Sequence, residues 1–161
     1  MNATQYNDCV DRFSDNLYRF ILKNLRDSEK AIDVVQETFT RLWTKHEDVT
    51  YEKAKSYLFT SGYHIMIDMI RKDKRQGELT EAAENKMSHS RQYSDLNEIL
   101  HEALERLPEV QKSVILLRDY EGYSYQEIGE IVGLNESQVK VYIYRGRQAL
   151  KNYLGSLEAV M

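Results

Sequence analysis

The sequence predicts an all-α protein of two small helical modules joined by a flexible linker, and three observations predict it. One proline and seven glycines in 161 residues leave little material for β-hairpins. Apolar residues recur at spacings of three and four along most of the chain. One stretch, 76–95, loses that period, opens near Gly77 and is rich in Ser, Glu and Gln, the composition of a tether.

Each element follows from its own pattern. Over residues 5–25, Val10, Phe13, Leu17, Phe20, Ile21 and Leu25 predict a first helix, which Asp27-Ser28 interrupts. Ala31, Val34, Val35, Thr38, Phe39, Leu42 and Trp43 predict a second, with Phe39, Leu42 and Trp43 in the core. Residues 44–53 lack the pattern and read as a loop. A third helix follows, with Ala54, Tyr57, Leu58, Ser61, Ile65, Asp68 and Met69 on or near one face. It ends in the basic run Arg71-Lys72-Asp73-Lys74-Arg75. The first module is thus 1–75, the linker 76–95 and the second module 96–161. In the latter, Leu96, Ile99, Leu100, Ala103, Leu104 and Leu107 predict a fourth helix. Pro108 suits the first turn of a fifth, where its missing N–H costs nothing. Val110 and the run Val114 to Leu117 carry that helix toward Tyr120-Glu121-Gly122.

Composition excludes several classes. Hydrophobic residues make up 42% and charged residues 30%, too apolar for disorder and too charged for a membrane protein. No apolar run approaches the roughly 18–20 residues of a membrane span. The polar, acidic stretch from Met1 to Asp15 is no secretory signal. One cysteine, Cys9, excludes an internal disulfide and suits a reducing cytoplasm as a partly buried apolar residue. Net charge is −4, unevenly spread: residues 96–134 carry −5 and residues 135–161 carry +2. His46, His64, His89 and His101 are scattered without metal-ligand spacing, so no metal is expected. No phosphate loop, nucleophile elbow or paired-carboxylate motif appears, so no enzyme activity, cofactor or small-molecule substrate is expected.

The densest signal lies in residues 124–152. Ser124-Tyr125-Gln126-Glu127 is a capping box, opening a helix that buries Ile128, Ile131 and Val132. Gly133 stands where a left-handed C-terminal residue is wanted, and Leu134 plugs the turn. Asn135-Glu136-Ser137-Gln138 is a second box, opening a helix with Val139, Ile143 and Leu150 inward. Gly129 lets the two helices cross closely. This is a helix-turn-helix, whose second helix can enter a DNA major groove. Its outward residues Ser137, Gln138, Lys140, Val141, Tyr144, Arg145, Arg147 and Gln148 supply donors for base edges and phosphates.

The whole chain resembles the extracytoplasmic-function (ECF) sigma factors of bacterial RNA polymerase. Four blocks carry the resemblance in order. They are Asp33 to Trp43; Lys55 to Thr60 continued by Ile67 to Lys72; Leu107 to Lys112 with Leu117 to Ile128; and Val139 to Leu150. The resemblance implies that the first module, region 2, binds the polymerase clamp helices and opens the −10 promoter element. Asp33, Gln36, Glu37 and Arg41 match the polymerase-binding positions, as a carboxylate-and-amide face suited to basic partners. The 44–53 loop matches the segment that captures a flipped base, with His46, Val49 and Tyr51 as its lining. Along the third helix Tyr57, Phe59, Tyr63 and His64 would meet bases, and Arg71, Lys72, Lys74 and Arg75 phosphates. Gly62-Tyr63-His64 stands where Ala-Arg-Asn is usual, and Tyr57 where Trp is common.

The second module, region 4, would read the −35 element. Its base readers would be Lys140, Val141, Tyr144 and Arg145, with Ser124, Gln138 and Arg147 on phosphates. Apolar residues around Val114, Leu117 and Tyr120 would meet the polymerase flap tip. The acidic linker would run through the RNA exit channel. The resemblance further implies a monomer when free, weak DNA affinity outside the polymerase, and an inhibitory anti-sigma partner that clamps the modules together. A stand-alone helix-turn-helix regulator would explain 124–152 but leave 33–72 without a role. A helical adaptor with no nucleic-acid role would predict that Arg145→Ala and Lys140→Ala leave transcription untouched.

Overall fold

Asn2 opens the first helix, α1 (Ala3–Leu25), with a reciprocal cap: its side chain accepts from Gln5 N–H, and Gln5 accepts from Asn2 N–H. The chain then turns at Arg26, which has a left-handed backbone (φ 55°). Asp27 caps α2 (Ser28–Thr44) by accepting from Lys30 N–H at 3.1 Å. A 3₁₀ turn at Tyr51–Lys53 leads into α3 (Ala54–Leu79). The computed structural model describes residues 1–79 and 96–160, with side chains over 1–76 and 96–157. The expected tether therefore begins as helix, and from residue 80 to 95 it lies outside the described residues.

The second module comprises α4 (Leu96–Glu105), α5 (Glu109–Ile115), α6 (Tyr125–Val132) and α7 (Glu136–Val160). Pro108 is the N-cap of α5 rather than part of its first turn. A π-helical turn, Leu116–Tyr120, extends α5, with Glu121 N–H reaching back to Leu116 O at 3.1 Å. No strand occurs among the described residues.

In the first module α1, α2 and α3 enclose Leu17, Phe20, Ile21, Val34, Leu42, Leu58, Phe59 and Met66, all fully buried. Burying side chains of this size contributes about 1.5–3 kcal/mol each. Gly62 lies at the crossing: a Cβ there would stand 3.0 Å from Leu17 Cδ1 and 3.4 Å from Thr38 Oγ1. Cys9 is fully buried in the same core.

Two expectations are corrected. The buried face of α3 is not Ala54, Tyr57, Leu58, Ser61, Ile65, Asp68 and Met69. It is Ala54, Leu58, Phe59, Gly62, Tyr63 and Met66, while Asp68 is exposed. At about 100° per residue the stripe is turned by roughly a quarter of the helix. The reason is tertiary, since α6 covers the side of α3 that α1 and α2 leave open. Trp43 is the second correction: it is 44% exposed rather than core.

The modules do not have separate interiors. Their buried apolar side chains form one continuous cluster. At the seam the Tyr123 ring meets Phe59 edge-on at 5.1 Å, with the Lys55 ammonium 4.3 Å from the Tyr123 centroid. Polar groups set the register. Lys112, on α5, donates to Asn24 O at 2.9 Å and to Glu105 at 3.1 Å. Ser113 Oγ donates to Asn24 Oδ1 at 3.1 Å. Arg19 forks onto Glu121 with two 2.9 Å bonds, the Glu121 side chain being 2% exposed. Arg26 pairs with Glu98 at 3.2 Å.

His101 on α4 lies near Lys23 of α1 and Arg26 of the turn after it. Burial first, and then those two cations, lower its pKa, against the pull of Glu98 and Glu105. Its unfolded value is about 6.5. A lowered folded value means the unfolded chain binds the proton more readily. The contribution of His101 to stability is therefore fully present above pH ~6.5 and is lost as pH falls from there toward the lower folded value. Urea unfolding at stepped pH should show this loss in the wild type and less of it in His101→Gln.

Candidate nucleic-acid interface

The helix-turn-helix has the local chemistry its sequence calls for. Ser124 Oγ accepts from Glu127 N–H at 3.0 Å and Glu127 accepts from Ser124 N–H at 2.9 Å. The Ser124 N–H, by donating to it, holds the Glu127 carboxyl below its ordinary pKa. Asn135 and Gln138 form the second box at 2.8 and 3.0 Å. Gly133 is left-handed (φ 80°), and both Gly133 and Leu134 donate to Gly129 O. A Cβ on Gly129 would lie 2.4 Å from Leu134 O, so only glycine fits this crossing without a shift.

On α7, Val139 and Ile143 face the core and Ser137, Gln138, Lys140, Val141, Tyr144 and Arg145 face outward. Val141 is 44% and Tyr144 68% exposed. Ser137, Gln138, Val141, Tyr142 and Arg145 line a shallow concavity on this face. The Ser124 hydroxyl and the Gln138 amide, after serving as cap acceptors, still have N–H or O–H groups to donate. Lys140 makes an exposed pair with Glu136 at 3.5 Å, worth little in water, and its ammonium stands 5.4 Å from the Tyr125 ring centroid. Arg145 has no ion-pair partner among the described residues. Arg147 is different, because Asp119 holds its guanidinium through two bonds of 3.2 and 2.5 Å. To meet a phosphate Arg147 must first leave that carboxylate, so it is not the free cation the sequence suggests.

The expected −10 residues divide. His64, Arg71, Lys72 and Arg75 are exposed, and His64, Arg71 and Arg75 share the outer face of α3 by helical spacing. Lys74 is exposed but turns into a cleft between the modules with Asp73, Ile70 and Glu109. Tyr63 is a correction. It is 6% exposed, inside the core, and burial together with the Glu109 charge raises its phenol pKa. In this arrangement it meets no base. Phe59 is likewise buried, under Tyr123.

The 44–53 segment is organised rather than loose. His46 stacks parallel on Trp43, centroids 4.1 Å apart and planes 7° apart, and its Nδ1 lies 2.6 Å from Trp43 O. The Met1 ammonium donates to the carbonyls of His46 and Val49. Tyr51 donates its hydroxyl hydrogen to Asp8 and accepts from Arg12 at 3.1 Å.

Asp33, Gln36, Glu37 and Arg41 lie together on the exposed side of α2, with Glu37 and Arg41 paired at 3.2 Å. Beside them Ile32 is 45% exposed and Trp43 is half-exposed, an apolar border that sequence reasoning misses. Ile32 falls out of phase with the buried period, which is the signal that could have found it. Val114 and Leu117 are fully buried, so of the expected flap-tip patch only Tyr120 is exposed. Among the described residues of this module a further apolar surface is the groove between α4 and α7, lined by Leu96, Ile99, Leu150, Leu154 and Leu157.

Residues 9–76 match sigma-70 region 2, and residues 97–150 match sigma-70 region 4. The chain is 30% identical over 146 residues to the RNA polymerase sigma factor SigV of Bacillus subtilis (strain 168), covering 89% of this chain and 87% of that one. It is 27% identical to the ECF RNA polymerase sigma factor SigM of the same organism, covering 86% and 88%. The chain belongs to the ECF sigma factors. Among solved structures it is similar to the sigma factor RpoE in complex with the anti-sigma factor NepR from Bartonella quintana, with 25% identity and a TM-score of 0.78, covering 93% of this chain and 96% of that one.

This sigma factor binds core RNA polymerase and promoter DNA and directs the initiation of DNA-templated transcription. The region 2 match gives 33–72 the role that a stand-alone regulator would leave unexplained. Gly129→Ala should destabilise the fold by about 1–3 kcal/mol, because a backbone oxygen must move. Gly155→Ala, whose Cβ would meet nothing within 4 Å, should be neutral or slightly stabilising. Thermal unfolding of both variants checks the contrast.

Proposed function

We propose that residues 1–75 bind the polymerase clamp helices and the −10 element, that 76–95 connect, and that 96–161 read the −35 element. One observation carries the reading: Lys140, Val141, Tyr144 and Arg145 stand outward on a helix whose entry angle is set by two capping boxes and a left-handed glycine. Lys140 and Arg145 donate to base edges, and Val141 offers an apolar contact to a thymine methyl. Ser124 and Gln138 steady the phosphates, joined by Arg147 once Asp119 releases it.

On α2 the Asp33, Gln36, Glu37 and Arg41 face pairs with basic clamp side chains, and Ile32 and Trp43 add apolar area at its border. With Val114 and Leu117 in the core, the α4–α7 groove is the apolar surface left for the flap tip. In region 2, His46, Val49 and Tyr51 line the base pocket while His64, Arg71, Lys72 and Arg75 follow the strand. The protein works in the cytoplasm, where the polymerase is, as a monomer when free and without catalysis of its own. No described helix is long and apolar enough to cross a membrane. An anti-sigma partner clamps the two modules together, a reading supported by the complex in which RpoE was solved.

Run-off transcription with core polymerase on promoters varied at single −35 positions tests the recognition helix. Arg145→Ala should cost roughly 1–3 kcal/mol of discrimination at one base position and little elsewhere. An equal loss on every sequence would assign Arg145 to a phosphate, and no loss at all would remove α7 from the −35 reading.

A further inference from the structure

We propose that Tyr6, Asp8 and Arg12 on α1 are positioning residues for −10 recognition, acting by holding the 44–53 segment at both flanks. This rests on the reading that the segment captures a promoter base. The downstream flank is held by a triangle. Tyr51 donates to the Asp8 carboxylate, Arg12 Nη1 donates to the Tyr51 hydroxyl at 3.1 Å, and Arg12 lies 3.7 Å from Asp8. The upstream flank is held by packing. The Tyr6 ring meets the Trp43 ring edge-on at 5.0 Å, and the Tyr6 hydroxyl donates to Phe39 O at 3.0 Å. Trp43 in turn carries the stacked His46. The turn at 45–50, whose His46 and Val49 carbonyls also accept from the Met1 ammonium, thus hangs between two supports that start on one helix, at Tyr6 on one side and at Asp8 and Arg12, two and six residues on, on the other.

Supports of this kind matter because a base pocket selects by shape. An extruded base has already given up its stacking, so discrimination comes from how closely the pocket fits the right base and rejects the wrong one. A lining free to shift by an ångström accommodates both. In the described geometry Tyr6, Asp8 and Arg12 act through Trp43, His46 and Tyr51, and the sequence blocks that carry the family resemblance include none of the three.

The test uses holoenzyme and two ratios. One compares open-complex formation, read by permanganate reactivity, on promoters differing at a single −10 base. The other makes the same comparison for a single −35 base. Asp8→Ala should lower the −10 ratio by roughly 2–10-fold, the size of one net hydrogen bond, and leave the −35 ratio unchanged. Tyr51→Phe should do the same, and the double variant should lose no more than either single one. Asp8→Glu should restore part of the ratio. An unchanged −10 ratio in Asp8→Ala, or equal falls in both ratios, would overturn the inference. His46→Ala and Val49→Ala separate it from the reading beneath it. If they leave the −10 ratio intact, the segment is not the base reader and both ideas fall. If they lower it while Asp8→Ala does not, only the role of α1 falls.

Discussion

A lysine inserted between two helical bundles holds this structure in its observed arrangement. Lys112 is almost wholly buried, yet its ammonium reaches a backbone carbonyl at the end of α1 and the carboxylate of Glu105. Asn24 is the matching group: its carbonyl oxygen takes Lys112, its side-chain oxygen takes Ser113, and its amide returns to Phe20 O. A buried ammonium is tolerated only when paired, so this cluster admits one register between the modules and penalises every other. Around it the apolar contacts of Tyr123 with Phe59 add area without adding direction.

That seam decides what each module shows to the outside. The outer face of α2 and the outward residues of α7 stay exposed, because neither takes part in the seam. Region 2 loses part of the α3 surface instead. Phe59 and Tyr63, aromatic and on a helix expected to meet melted DNA, are buried, Phe59 under Tyr123 and Tyr63 near Glu109 of α5. The seam is rich in charged and hydrogen-bonded groups, a composition closer to a transient interface than to a permanent core.

Short-range rules were legible in the sequence wherever the partner group lies within one turn. Ser124 with Glu127, Asn135 with Gln138, and Gly133 with its positive φ are all as expected, since each is decided by residues three or four apart. The helix-turn-helix and the outward face of α7 followed from those rules. The acidic face of α2 was equally readable. Trp43 was misread because a large aromatic in helical phase looks like core, and its edge contact with Tyr6 and stack with His46 are long-range or loop-dependent. The same limit explains α3, whose apolar residues surround enough of the helix that periodicity alone selects the wrong side.

The sequence by itself determined the class, the helices, the caps, the turn and the family, because these depend on local periodicity and on chemistry between near neighbours. Only the tertiary structure decided that two modules share one core, that Tyr63 and Phe59 are covered, that Asp119 holds Arg147, and that α1 grips the segment after α2. Those outcomes depend on pairs distant in the chain. For such pairs, burial and charge are settled by which faces meet in space, and no local pattern records that.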